Sequence, residues 1–179
     1  MDTTFSEHEL YACGMTRFGM ISTDKICFGT EIRKICEGNG CGNYGKTWAC
    51  PPGVGTLEEC MAEVRSYKNA LVFCRVYTLE DSFDFEGMEE GHRDFKAICD
   101  RLYGLVKGRI GKFRLLSNEG CIRCKKCAYP DAPCRFPEKL FPSLEGYGIY
   151  VNQLAQSAGM KYINGPDTVT YFGMLLYGT

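Results

Sequence analysis

The sequence predicts an α+β fold, a single layered domain over residues 1–179 with a mixed sheet, helices packed on it, and two cysteine-rich metal-binding loops. Three observations lead there. Stretches of helical period intermingle with short runs of β-branched and aromatic residues, the pattern of a sheet covered by helices. No internal repeat, low-complexity tract or linker divides the 179 residues, and a chain of that length buries about 70% of its unfolded surface as one domain. Two segments, 36–55 and 119–142, follow neither period and are dense in Gly, Pro and Cys. Loops that long in a compact domain usually carry function.

Taken in chain order, the first predicted helix opens at Thr56, where the hydroxyl can cap while Glu59 reaches back. Leu57, Cys60, Met61 and Val64 then form its apolar stripe. A strand follows at 69–77 (NALVFCRVY). A second helix, about 88–107, carries Phe95, Ile98, Cys99, Leu102 and Val106 on one face and ends near Gly108. Another strand is expected at 112–117. A third helix is expected from Ser143, burying Tyr147, Val151, Leu154 and Ala158 and stopping at Gly159, a residue suited to the left-handed cap. A short strand at 160–163 and a longer one at 168–177 close the chain.

Composition narrows the function classes. A formal net charge of −1 gives no electrostatic reason to expect nucleic acid or a membrane surface as partner. The densest apolar patch, "ALVFC" at 70–74, is far short of the roughly 20 residues that span a bilayer. The start, MDTTFSEHEL, lacks the basic and apolar character of a signal peptide, so the expected compartment is the cytoplasm. Twelve cysteines in a reducing compartment are expected as thiols, and clustered thiols there point to metal.

Cys121, Cys124, Cys127 and Cys134 follow the spacing C-x2-C-x2-C-x6-C. Structural zinc sites usually draw four thiolates from two separated C-x2-C hairpins. Three cysteines at successive intervals of three instead suit an object with several metal vertices. They match the first part of the bacterial ferredoxin run, although the last gap is longer and the proline comes at Pro137. A [4Fe-4S] cluster is the favoured cofactor, with zinc as the alternative. Arg123, Lys125, Lys126, Arg135 and Lys139 flank the ligands and could stabilise a reduced cluster.

The other loop offers Cys36, Cys41 and Cys50 at C-x4-C-x8-C, with glycines at 38, 40, 42 and 45 that let backbone approach a bound group. It also contains the letters of a phosphate-binding loop, Gly40 to Thr47 by way of Gly45 and Lys46. That reading fails because the preceding segment is heavily charged and Pro51-Pro52 forbids the helix such a loop must open.

"CGNYGKTWACPPG", then "CIRCKKCAYPDAPCRFPEKLFPSLEGYGIYV", then "TYFGMLLY" together resemble a family of predicted metal-binding proteins of unknown function, common in anaerobic bacteria and archaea. The likeness covers nearly the whole chain beyond residue 30. The matching positions are Cys36, Cys41, Tyr44, Gly45, Cys50, Pro51, Pro52, Cys121, Cys124, Cys127, Cys134, Arg135, Pro137 and Glu145. The resemblance implies an iron–sulfur or other metal protein and no particular reaction.

Seven motif cysteines exceed the four that one cubane takes and fall short of the eight that two take. One or two [4Fe-4S] clusters are therefore open, and with two, one iron needs water, substrate, another side chain, or an outlying thiol such as Cys27. Three functions fit this count. The first is electron transfer to a redox protein partner. The second is a cluster enzyme with an open iron, with Tyr44, Lys46 or Arg135 touching substrate. The third is a structural zinc protein. Cys60, Cys74 and Cys99 fall on stripes or strands, where inert buried thiols are ordinary.

Overall fold

A computed structural model describes residues 4–179. Its sheet has four strands, β1 Arg17–Ser22, β2 Asn69–Thr78, β3 Phe113–Leu116 and β4 Thr168–Tyr177, in the order β1-β2-β4-β3. The α+β class holds, and within it all three pairings are antiparallel where a mixed sheet was expected. β2 and β4 pair along their full ten residues, from Asn69 opposite Tyr177 to Thr78 opposite Thr168.

Both faces of the sheet are covered, which is why β2 and β4 read as continuous apolar runs. Side chains alternate across a strand. Ala70, Val72, Cys74, Phe172, Met174 and Leu176 enter one core with residues of helices α3 (Leu57–Arg65) and α5 (Val151–Ser157). Leu71, Phe73, Tyr171, Leu175 and Tyr177 enter the other with α4 (Phe85–Val106) and Leu10 of α1 (Glu7–Ala12).

The predicted helix at Thr56 forms as α3, with both halves of its capping box made. The second forms as α4, opening three residues earlier because the Asp84 side chain accepts from the Gly87 N–H. Phe95, Ile98, Cys99, Leu102 and Val106 are all fully buried along it.

The third predicted helix is corrected. Glu145–Tyr147 make one 3-10 turn, Gly148 turns left-handed at φ 73°, and the α-helix begins only at Val151. A Cβ at Gly148 would strike Leu57 of α3, so this close approach needs glycine as well as a positive φ. The left-handed stop at Gly159 forms as expected. The strand expected at 160–163 does not form; its residues lie in irregular chain outside the sheet.

Three elements have no counterpart in the sequence reading, α1, β1 and α2 (Thr30–Glu37). β1 is an edge strand with Ile21 as its one buried residue and writes no clear apolar period. α2 is short and charged, and it places Ile32, Ile35 and Cys36 at helical spacing without burying any residue fully. α2 directly precedes Gly40, and no helix starts after Thr47 until Leu57, which removes the strand–loop–helix setting that phosphate binding requires. Among the described residues no helix is long and apolar enough to cross a membrane.

Candidate metal centres

The two cysteine loops leave the same end of the fold and are stitched together at their roots. Ser117, just past β3, donates its N–H to the Pro142 carbonyl at 2.8 Å and accepts from Leu144 at 2.9 Å. The Ser143 N–H then donates to the carbonyl of Ala49 at 2.9 Å, next to Cys50. Farther out, the Trp48 indole N–H donates to the Ala132 carbonyl at 3.0 Å, and its ring meets Tyr129 edge-on at 4.8 Å. Gly120 admits the Asn43 side chain, which lies 2.6 Å from where a Cβ would stand.

Cys121, Cys124, Cys127 and Cys134 line one small cavity of about 20 Å³, with Trp48, Phe136, Leu140 and the cations Arg123, Arg135 and Lys139. The Phe136 N–H points at Cys134 Sγ from 3.4 Å. All four thiols are half-buried, whereas Lys125, Lys126 and Arg135 are exposed. Arg123 is an anchor: it pairs with Asp100 of α4, donates to the Lys139 carbonyl at 2.8 Å and lies over the Phe141 ring. Arg135 donates to the Lys126 carbonyl at 3.0 Å, closing the loop across its cysteines.

Cys36, Cys41 and Cys50 line a separate and larger cavity of about 490 Å³, together with Tyr44, Glu119, Ser143 and Glu145. Each thiol arrives by a different route. Cys36 sits in the last turn of α2, which Arg33 clamps by donating to the carbonyls of Gly146 at 2.5 Å and Gly55 at 2.7 Å. Cys41 rides an exposed turn with Gly42 at φ 74°. Cys50 is buried, its Sγ 3.9 Å from Ser143 Oγ. Burial, then Glu145 and the other two thiols, pushes Cys36 up to about 11. Burial pushes Cys50 up as well, against hydrogen bonds from Thr47 and Ser143. Thiols so raised are protonated at neutral pH, so taking a metal releases protons.

Glu145 was a matching position of the resemblance, but its part in this cavity was not read from the sequence. As a residue it is half-buried, yet its Oε2 is sealed from solvent without a hydrogen-bond partner. Burial and then the charge of Glu119 push its carboxyl up, against its own backbone N–H and Lys96. Sequence reasoning also missed Lys96. This half-buried lysine of α4 donates to Ser117 Oγ at 3.2 Å and to the Asn118 carbonyl, and it lines a cleft with Cys121. Burial lowers its pKa, against the pull of Cys99, Cys121, Glu119 and Cys50. The available signal was its spacing, beside Phe95 and three residues before Cys99 on the buried stripe.

The structure thus sorts the seven predicted residues into a four-thiol set and a three-thiol set. Tyr44 lies with the second, Arg135 with the first, and Lys46 in a cleft beside Cys121, Cys124 and Cys127. Cys27 is exposed and lines neither cavity, while Cys60, Cys74 and Cys99 are buried as expected. Among the described residues no three His, Cys, Asp or Glu side chains form a group that could hold a single metal ion. As a donor set the four thiols still suit a soft centre, because sulfur alone, a backbone N–H and cations face that cavity. The three-thiol set suits one too, with an orphaned carboxylate oxygen beside it.

A family model described as "Predicted metal-binding protein (DUF2284)" matches residues 19–177. No curated protein and no solved structure matches the chain.

Proposed function

Because the chain belongs to this family of predicted metal-binding proteins, we propose that Cys121, Cys124, Cys127 and Cys134 hold a [4Fe-4S] cluster and that the protein carries single electrons to a protein partner. The observation that supports this best is that all four thiols of the ferredoxin-like spacing line one cavity free of carboxylates. The chemistry a cluster would supply there is reversible one-electron storage.

The chain's own residues fit that task. The Phe136 N–H and the nearby Arg123, Arg135 and Lys139 favour the more negative, reduced state of a thiolate-bound centre. Half-buried thiols keep the centre near the surface. Lys125, Lys126 and Arg135, exposed around it, offer a basic rim to an acidic face on the partner.

Protein purified without oxygen should be brown and contain iron and acid-labile sulfide in equal amounts. Cys124→Ala should lose about four irons per chain. Full iron retention in that variant, or a colourless wild type loaded with zinc, would overturn the proposal.

A further inference from the structure

Resting on that reading, we infer that Cys36, Cys41 and Cys50 hold a second iron–sulfur centre whose fourth ligand is the carboxylate of Glu145. Three thiolates leave one iron of a cubane without sulfur from the protein. Glu145 lines the same cavity as all three cysteines. Its Oε2 is sealed from water and bonded to nothing, a costly state for a buried carboxyl oxygen unless a partner faces it.

The fold is arranged to hold that oxygen there. Glu145 stands in a single 3-10 turn fixed at both ends. The Gly146 N–H donates to Ser143 Oγ at 3.0 Å, and the Gly146 carbonyl accepts from Arg33, which lies one helical turn before Cys36. The same clamp therefore positions one thiol and the carboxylate. Neither the outlying thiol nor the second acid competes: Cys27 lines neither cavity, and Glu119, the other acid in this one, is half-exposed with His92 Nδ1 3.9 Å away. Oxygen is a harder donor than thiolate, so this centre differs from the all-cysteine one and has a distinct, more exchangeable iron. The cavity of about 490 Å³ is of the size that accepts small molecules beside such an iron.

The test is metal and sulfide analysis with EPR on anaerobic protein. Wild type should carry about eight irons per chain. Glu145→Gln should lose about one of them, with sulfide retained and a three-iron signal appearing on oxidation. Glu145→Cys should restore the full count. Cys124→Ala should leave the Glu145-dependent signal in place, since the two centres use different thiols. Four irons in wild type would overturn the second centre, and eight unaltered in both Glu145 variants would overturn Glu145 as its ligand; either result leaves the first centre standing. A wild type without sulfide would overturn the cluster reading itself.

Discussion

Among single residues, His92 has the clearest measurable consequence. Burial, reinforced by the cations Lys96 and Arg93, pushes its pKa down from 6.5 to about 4, although Glu119 stands 3.9 Å from Nδ1. Its Nε2 is buried without a partner, consistent with a ring kept neutral. A folded-state pKa below the unfolded value means that the unfolded chain takes a proton the folded chain refuses. Stability is then greatest above about pH 6.5 and falls as pH drops toward 4, by about 3 kcal/mol if the whole shift is expressed. Urea unfolding at pH 7 and pH 5 should show that fall, and His92→Gln should make it shallower; an identical slope in both proteins would refute the assignment. Lys96 shows how a charge can hide from sequence reading. The stripe of α4 marks it as facing inward, but apart from Cys99 on its own helix the thiols that act on it, Cys121 and Cys50, come from loops 25 and 46 residues away in sequence.

At the scale of elements, what was legible tracks how completely an element is buried. α3, α4, β2 and β4 face the cores and write full periods, so their positions were readable nearly to the residue. The capping box of α3 is a local signal with a local effect: Thr56→Ala should lower stability by about 1 kcal/mol, read as a reduced urea midpoint at unchanged slope. The predicted helix from Ser143 failed for a tertiary reason. Its apolar spacing is helical, yet α3 crosses so close at Gly148 that the chain turns left-handed there, and Arg33 and Ala49 claim the carbonyl of Gly146 and the N–H of Ser143. That break places Glu145 in the cavity lined by the three thiols. α2 is short and charged, and Arg33 fixes it to the carbonyls of Gly146 and Gly55 rather than to either core.

On the scale of the whole molecule, the two apolar cores on opposite faces of the sheet hold none of the motif cysteines, although Phe141 of one cysteine loop enters one core and Val54 of the other packs against the second. Of the seven motif cysteines only Cys50 is buried, and it belongs to neither core. Removing metal should therefore loosen the loops before it unfolds the domain. Chelated, reduced protein should keep its far-UV circular dichroism and cooperative unfolding while trypsin cuts rapidly after Lys125 and Lys126. Collapse of the circular dichroism on chelation would show that the centres carry the fold itself. The stitches from Ser117 through Ser143 to Ala49 explain the arrangement, since the scaffold fixes where both loops begin and end.

By itself the sequence determined the fold class, the principal helices and strands, and the seven thiols, because burial period and cysteine spacing are written in neighbouring residues. Tertiary structure alone decided that the thiols divide four and three between separate cavities, that a carboxylate with a sealed oxygen shares the cavity of the three, and that a half-buried lysine faces Ser117 and Asn118 at the root of one loop. Those facts depend on segments about a hundred residues apart meeting at the loop roots, and no local period records which carbonyl, cation or acid the distant segment brings.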